Sequence, residues 1–225
     1  MPELPEVETS VQAIQEFTNQ NIESIEIYNP NLRWKVDCKA FKKLCGLKVD
    51  KISRRAKYIL LHIDKSQILI HLGMTGTLRI ADKNSNFYKK HDHIEFIFQS
   101  GKLIFNDPRR FGSMHYITKP SSHFLLEKLG PEPLSEEFNG DYLFQKIKKS
   151  FSPIKNTLMN QHNVVGIGNI YANEILFDAK IRPTRKSKTI TKKEHHKIAA
   201  STKKILKIAI KAGGTTLKDF YQPDG

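Results

Sequence analysis

Residues 58–72, YILLHIDKSQILIHL, contain two apolar runs on either side of a short polar stretch. Runs of this length that are rich in Ile and Leu and end at turn residues are typical of buried β-strands. They predict a β-hairpin that turns at Lys65-Ser66. Similar runs on both sides predict strands separated by turns throughout residues 23–116. The predicted strands are Ile25 to Ile27, Tyr58 to Ile63, Gln67 to Leu72, Ile94 to Phe98 and Lys102 to Phe105, with a second turn at Ser100-Gly101.

Helical patterns lie on both sides of this region. A first helix is predicted to begin at Pro5 and to place Val7, Val11 and Ile14 on one face. After residue 133 the apolar spacing becomes helical, and the final helix has the Thr191 and Glu194 spacing of a capping box. The helices predicted there are Tyr142 to Lys149, Ile154 to Met159, Ile170 to Ala179 and Lys192 to Lys211, the last followed by Gly213-Gly214.

These patterns predict an α+β fold in two domains. Residues 1–116 are expected to form an antiparallel β-sandwich with a leading helix, because strands with one apolar face must pack against another layer. Residues 117–130 are predicted as a linker and residues 131–225 as an all-helical domain.

Charge narrows the class of partner. The chain has 37 Lys and Arg against 23 Asp and Glu, a net charge of +14. Residues 182–211 contain eleven Lys or Arg and one Glu, a local net charge of +10. Such a segment favours a polyanion, because each neutralised phosphate releases condensed counterions. The charge predicts binding to nucleic acid but leaves DNA and RNA open.

Several classes of protein are excluded at this stage. No apolar run approaches the roughly eighteen residues that a membrane span needs. The acidic N-terminus lacks the basic start and apolar stretch of a signal peptide. Cys38 and Cys45 are the only cysteines and do not form a C-x-x-C pair, so no zinc or disulfide framework is visible. We expect a monomeric protein in the cytoplasm that does not associate with membranes.

The first residues form a candidate catalytic site. A small residue at position 2 normally allows the initiator Met to be removed, which exposes the secondary amine of Pro2. An α-amine has a pKa of about 7.7–8.0, so a useful fraction is unprotonated at neutral pH. A secondary amine attacks carbonyl-like carbons and forms an iminium directly. Glu3 is next to it and is predicted to donate or shuttle the proton.

The start of the chain, Met-Pro-Glu-Leu-Pro-Glu-Val-Glu-Thr, closely resembles that of the formamidopyrimidine-DNA glycosylase (Fpg, or MutM) family. Further matching segments follow in the same order along the whole chain. They are 54–58 (RRAKY), 71–76 (HLGMTG), 90–93 (KHDH), 107–112 (DPRRFG), 129–134 (LGPEPL), 165–171 (VGIGNIY) and 213–220 (GGTTLKDF).

This resemblance implies a mechanism. The Pro2 amine is expected to attack C1′ of an extruded nucleotide, which expels the base and leaves a Schiff base. Glu3 is expected to be the acid–base group of that step. Lys57 is expected to serve β-elimination or to contact the phosphate beside the lesion. Its alternative reading is a lysine that only lies along an apolar surface at the start of a strand.

The resemblance also implies DNA contacts. Met74, Arg109 and Phe111 are expected to fill the gap left by the extruded base and to face the orphaned partner. The glycines of residues 166–169 precede a helix whose backbone N–H groups are expected to bind phosphate, with Asn169 as cap. The predicted further DNA contacts are His71, His91, Arg110, Lys149, Lys155, Asn169 and Tyr171. Thr215, Thr216 and Lys218 match the loop that closes over the extruded base.

The predicted activity is that of a bifunctional DNA glycosylase and AP lyase. Its expected substrates are duplexes with 8-oxoguanine or a formamidopyrimidine, and the strand is expected to be cleaved by β(,δ)-elimination. The protein is expected to associate with the nucleoid. The family normally continues past Gly225 into a zinc-finger hairpin with four cysteines, which is absent here, so we expect no metal or other cofactor. Three explanations stay open: a truncated gene, a fragment, or a functioning shortened enzyme. Two further readings remain: a family member that binds DNA without efficient turnover, and a basic RNA-binding accessory protein.

Overall fold

The computed structural model of the protein describes residues 1–85, 88–119 and 123–214. Contacts divide the described chain into two compact units. The first contains residues 1–2 and 7–123, and the second contains residues 3–6 and 124–214. Residues 3–6, which the sequence assigned to the first domain, therefore contact the helical unit. The domain limits of 116 and 131 stay a prediction.

Two four-stranded antiparallel sheets form the first unit, in the orders β1-β6-β7-β5 and β2-β3-β4-β8. This confirms the predicted α+β class with an antiparallel N-terminal region. The strands are β1 (Ser24–Ile27), β2 (Lys51–Arg55), β3 (Tyr58–Ile63), β4 (Ser66–His71), β5 (Thr77–Ala81), β6 (Asp92–Ile97), β7 (Lys102–Asn106) and β8 (Ser113–Ile117). The first helix is α1 (Leu4–Ala13), and α2 (Cys38–Lys42) follows β1.

The hairpin of β3 and β4 supplies much of the apolar core of this unit. Ile59, Leu61, Ile68 and Ile70 are fully buried in one cluster that also contains Val7. Burying side chains of this size contributes roughly 1.5–3 kcal/mol each to folding. The predicted hairpin is confirmed, but the predicted position of its turn is wrong by one residue. Asp64 has φ +52° and Ser66 is already the first residue of β4.

The sequence pattern did not predict α2 and three of the strands, each for a local reason. β2, with the sequence KISRR, lies at a sheet edge and has one fully buried side chain. Every residue of β5 is half-buried, so no alternation marks it. β8 contains a Met, a His and a Tyr and therefore lacks a run of β-branched residues. The side chain of Asp37 caps α2 by accepting from the Lys39 and Ala40 N–H groups.

Strand register gathers several loops at one end of the second sheet. His71, the last residue of β4, pairs with Tyr58 at the start of β3 and with Ser113 at the start of β8. The β2–β3 turn, the β4–β5 loop and the β7–β8 loop therefore meet at this end. These segments contain Lys57, Met74 and Arg109, which the sequence predicted as functional.

Helices form the second unit around their own apolar core, which includes Leu4, Phe138 and Tyr171. Thr191 and Glu194 form the predicted capping box at the start of the final helix, and Gly213 follows its end with φ +79°. The helices are α3 (Gly140–Ile147), α4 (Ile154–Met159), α5 (Asn169–Asp178) and α6 (Lys192–Lys211). Their positions confirm the four predicted helices within about two residues.

None of the helices in residues 1–85, 88–119 and 123–214 has the length and apolar character needed to cross a membrane.

Candidate active site

The carboxylate of Glu3 lies at the N-terminus of α5. The N–H groups of Gly168 and Tyr171 donate to Oε2 at 2.5 and 3.3 Å, and that of Ile170 donates to Oε1 at 2.8 Å. A helix N-terminus attracts a carboxylate because its first N–H groups lack intrahelical partners and carry the positive end of the dipole. Glu3 is only 2% exposed, so these bonds fix its position. Oε1 accepts one of the three bonds and so retains a lone pair for a proton.

This arrangement corrects the predicted phosphate site. The anion at the start of α5 is the Glu3 carboxylate, which uses N–H groups that the sequence assigned to phosphate. Asn169 is also not the cap: Gly168 takes that position, without a side-chain bond, and Asn169 is the exposed first residue of the helix. A Cβ on Gly168 would collide with the Glu3 carboxyl group, and one on Gly166 with the Leu4 side chain. These glycines therefore make room for the N-terminal segment.

Glu6 supports Glu3 in a way that the sequence analysis missed. Its Oε2 accepts the Glu3 N–H at 2.9 Å, and its Oε1 accepts the Tyr171 hydroxyl at 2.7 Å. Because α1 begins at Leu4, Glu3 is its N-cap and Glu6 its third residue, the spacing at which a carboxylate reaches back to the cap. That three-residue spacing was the available signal. Tyr171 is 2% exposed, so its predicted DNA contact is corrected to a bond with Glu6.

Pro2 is buried and directly precedes Glu3, whereas Met1 is 43% exposed. The backbone at Glu3 is held twice, by the bond to Glu6 and by the Leu4 N–H, which donates to Gly166 O at 2.9 Å. A residue attached to so fixed a segment has little freedom to move. Removal of Met1 would place a secondary amine there.

Lys57 lies in a two-residue turn between β2 and β3, and it is 7% exposed. Ala56, the other turn residue, has φ +55°, a conformation that costs an L-residue roughly 1–2 kcal/mol. Arg54 holds this turn: Nη1 donates to Ala56 O at 3.0 Å, and Nε bonds Glu8 Oε2 at 2.7 Å. Local sequence did not predict this ion pair, because Arg54 and Glu8 are 46 positions apart. Lys57 is buried in this turn, and its role in elimination or phosphate binding stays a prediction.

His71 has an altered pKa. Burial lowers the pKa of its imidazole to about 4, and the positive charges of Arg33 and Lys57 add to the shift. The ring is therefore neutral at pH 7. Its Nδ1 accepts the Gly73 N–H at 3.2 Å, which leaves the proton on Nε2. His71 can thus donate a neutral hydrogen bond but contributes no positive charge.

The β4–β5 and β7–β8 loops carry the predicted gap-filling residues at the surface. Met74 is 42% and Phe111 47% exposed, although large apolar side chains are usually buried. The guanidinium of Arg109 lies over the Phe111 ring at 4.6 Å from its centroid. Arg110 is exposed and has φ +55°. The side chains of Met74, Arg109 and Phe111 are therefore available to a partner.

The remaining predicted DNA contacts are dispersed. His91 is half-buried with φ +76°, Lys149 is exposed after α3, and Lys155 is half-buried in α4. Part of the basic segment is used internally, in the ion pairs Arg185–Glu194, Lys192–Asp141 and Lys204–Asp178. The predicted lesion-capping residues Thr215, Thr216 and Lys218 lie outside the described residues.

The residues present do not fit the zinc site that the family resemblance implies. Cys38 and Cys45 are free, and the Cys38 thiol donates to Val36 O at 3.7 Å. Across residues 1–85, 88–119 and 123–214, no group of three or more His, Cys, Asp or Glu could hold a metal ion.

Comparison with known proteins shows similarity over the whole chain. Residues 1–114 match the model of the formamidopyrimidine-DNA glycosylase N-terminal domain, and residues 129–221 that of the H2TH domain. A formamidopyrimidine-DNA glycosylase of Hydrogenovibrio crunogenus is 50% identical over 228 residues, which cover all of this chain and 81% of that protein. One of Legionella pneumophila strain Lens is 49% identical over 229 residues, covering all of this chain and 83% of that protein.

Solved structures of Lactococcus lactis Fpg (MutM) are similar over nearly the whole chain. A complex with DNA containing N7-benzyl-Fapy-dG has a TM-score of 0.89 at 37% identity, and covers 96% of this chain and 81% of that one. A complex with DNA containing an AP site has a TM-score of 0.87 at 36% identity, and covers 95% and 83%.

The fold and the site define a two-part enzyme with a sheet unit and a helical H2TH unit. The chain belongs to the formamidopyrimidine-DNA glycosylase family, an enzyme class that combines DNA glycosylase and AP lyase activities. The predicted family and enzyme class are thereby confirmed.

Proposed function

We propose that this chain excises oxidised purines from duplex DNA and cleaves the strand at the resulting site, with Pro2 as nucleophile. The substrates are 8-oxoguanine opposite cytosine and ring-opened formamidopyrimidines. The observation that carries the proposal is the Glu3 carboxylate, which three backbone N–H groups hold at the start of α5, one residue from Pro2. An acid–base group fixed beside an N-terminal amine is the arrangement that amine catalysis needs.

The chemistry proceeds through a covalent intermediate. The Pro2 nitrogen forms a bond to C1′ as the bond from C1′ to the base breaks, and Glu3 moves the proton that the departing base or opening sugar requires. Ring opening gives an iminium between Pro2 and C1′. The iminium acidifies the proton on C2′, whose removal expels the 3′-phosphate by β-elimination, and δ-elimination of the 5′-phosphate follows. Lys57, in its buried turn, serves the elimination or binds the neighbouring phosphate.

DNA is the partner that the relatives support. The Lactococcus lactis protein, 36–37% identical, is bound to DNA with an AP site or a modified formamidopyrimidine. In this chain the exposed Met74, Arg109 and Phe111 are proposed to enter the gap in the duplex, with His71, His91, Arg110, Lys149, Lys155 and Asn169 at the backbone. Because the relatives are bacterial, we place the enzyme in the cytoplasm at the nucleoid. We also propose that it acts as a monomer.

Borohydride trapping tests the proposal. The protein is incubated with a duplex that carries 8-oxoguanine opposite cytosine, with sodium borohydride, and with an undamaged duplex as control. Reduction converts the Pro2 iminium into a stable amine, so a covalent protein–DNA band is expected only with the damaged duplex. Binding without a trapped band would overturn the proposed activity and indicate a family member that binds DNA without turnover. Preference for RNA over DNA would indicate the accessory-protein alternative.

Arg109→Ala is expected to weaken binding to the damaged duplex and to reduce discrimination among the four bases opposite the lesion. One lost bidentate contact to a base is worth about 1–3 kcal/mol, which predicts a loss of about tenfold in discrimination. Competition binding with four duplexes measures it. Lys42→Ala, which removes an exposed cation of α2, is the control for charge alone. Equal discrimination by Arg109→Ala and the unaltered protein would contradict the role.

Tyr171→Phe is expected to slow base excision about tenfold, the effect of losing one hydrogen bond to a charged group. The variant loses the hydroxyl that orients Glu6, and Glu6 holds the Glu3 backbone. Tyr142→Phe is a matched control, because it deletes a hydroxyl that donates to Asn163 O at 2.8 Å in the same unit. Single-turnover excision and thermal unfolding are measured for both. If the two variants slow excision equally, Tyr171 has no special role in positioning Glu3.

A further inference from the structure

We propose that the carboxylate of Asp107 and the hydroxyl of Thr75 are positioning groups that lock the β4–β5 and β7–β8 loops into one unit for reading the DNA gap. The inference rests on the proposed function, since it assumes that Met74, Arg109 and Phe111 meet the duplex. Neither Asp107 nor Thr75 has a side chain placed to meet DNA in that proposal. They act through the residues that do.

The two loops run side by side, and each connects a strand of one sheet to a strand of the other. One connects His71 of β4 to Thr77 of β5, and the other connects Asn106 of β7 to Ser113 of β8. His71 pairs with Ser113 in one sheet, and Thr77 pairs with Asn106 in the other. Both ends of the pair of loops are therefore fixed by sheet hydrogen bonds. Between those ends, contacts from one loop to the other keep their tips in register.

Asp107 supplies those contacts. Its Oδ1 accepts the Thr75 hydroxyl at 2.6 Å, and its Oδ2 accepts the Gly112 N–H at 2.7 Å. The Arg109 N–H lies 3.3 Å from both the Thr75 hydroxyl oxygen and Asp107 Oδ1. Hydrogen bonds to a carboxylate are stronger than neutral ones, and a buried carboxylate depends on them. Asp107 is fully buried, so this carboxylate closes its own loop and ties it to Thr75.

The backbone of Asp107 is itself held in place. Its carbonyl accepts a bond from His93 Nε2 at 2.8 Å, and its N–H donates to His91 O at 3.1 Å. The loops also touch directly, because a Cβ on Gly73 would collide with the backbone of Phe111 and Gly112. Met74 thus lies between two residues, Gly73 and Thr75, that contact the β7–β8 loop, and the Arg109 N–H itself approaches Thr75 of the β4–β5 loop.

Locking the two loops affects recognition of the opposite base more than it affects the reaction at C1′. Met74 is next to Thr75 in the chain. Residues 109–111 lie between Asp107 and Gly112, whose N–H donates to the Asp107 carboxylate. If the loops move independently, the tip side chains enter the gap in variable positions and read the opposite base poorly. Misplacement of about 1 Å in such a positioning element costs on the order of 10²-fold. The Pro2 chemistry at a site that already lacks its base requires no such reading.

The experiment compares Thr75→Val, Thr75→Ser and Asp107→Asn with the unaltered protein. Thr202→Val is the matched control, because its buried hydroxyl donates only within α6, to Ile198 O at 2.8 Å. Two quantities are measured: hydrogen exchange of the 107–112 segment in free protein, and the ratio of single-turnover excision opposite cytosine to that opposite adenine. Trapping on a duplex with a preformed AP site provides the comparison for chemistry.

Thr75→Val and Asp107→Asn are expected to speed exchange at Arg109 and Gly112 and to lower the cytosine-to-adenine ratio about tenfold, the effect of one charge-assisted bond. Trapping at the AP site should fall much less, and Thr75→Ser should restore both readouts because it keeps the hydroxyl. An unchanged ratio in a folded Thr75→Val variant overturns the proposal, as does an equal fall in trapping. If the unaltered protein excises nothing, the proposed function fails, while the exchange data still decide whether the bond locks the loops.

Discussion

Glu3→Gln is expected to slow excision of 8-oxoguanine by about 10²–10⁴-fold, the usual contribution of a positioned acid–base group. The amide cannot shuttle a proton. Its NH₂ group also cannot accept the N–H groups of Gly168, Ile170 and Tyr171, which now hold both carboxylate oxygens. The loss should therefore exceed that of any substitution among the DNA contacts. Single-turnover excision on a duplex with 8-oxoguanine opposite cytosine measures it.

Two controls separate the chemistry from folding. Glu16→Gln makes the same chemical change at an exposed position next to α1, and it should leave excision unaltered. Cleavage of a duplex with a preformed AP site should fall less in Glu3→Gln, since no base has to leave. If thermal unfolding is unchanged and excision falls less than about tenfold, Glu3 supplies less than a general acid–base group does.

Pro2→Gly is expected to lose most base release while duplex binding survives. The residue becomes a primary amine without the pyrrolidine ring that fixes its nitrogen relative to Cα, so the nucleophile is no longer held in line with C1′. Poor alignment of this kind costs on the order of 10²-fold. Base release, borohydride trapping and binding to undamaged duplex are measured in parallel, after mass spectrometry has established that Met1 is removed from both proteins. Unchanged base release would remove Pro2 from the mechanism.

Local patterns predicted much of the secondary structure. Residues 58–63 and 102–105 have apolar runs that nothing nearby contradicts, and both form strands. The capping box at Thr191 and the glycines after Lys211 bound α6 at the predicted residues. β2 has one buried side chain and β5 has none, so pairing with a neighbouring strand defines both strands where no apolar pattern does. Edge strands carry a weak pattern for this reason.

The candidate site divides in the same way. The motifs predicted Pro2, Glu3 and Lys57 and the tips of two loops as functional residues. They did not indicate that the start of α5 binds Glu3, because those partners lie 165 or more positions away. The predicted phosphate site was therefore assigned to the wrong anion. Tyr171 was likewise predicted at the surface, but the Glu6 carboxylate accepts its hydroxyl in the interior.

By itself, the sequence determined the α+β class and the positions of α1 and α3 to α6, because these depend on side-chain periodicity and on contacts a few positions apart. The candidate catalytic residues followed from the resemblance of its motifs to the family. Only the tertiary structure decided which group satisfies each buried polar atom. The Asp107 carboxylate could have been a turn residue of its own loop, yet it also bonds Thr75, 32 positions away. Buried carboxylates and helix termini need hydrogen-bond partners, and the fold supplies those partners from distant parts of the chain. Local sequence does not indicate which distant residue the partner is.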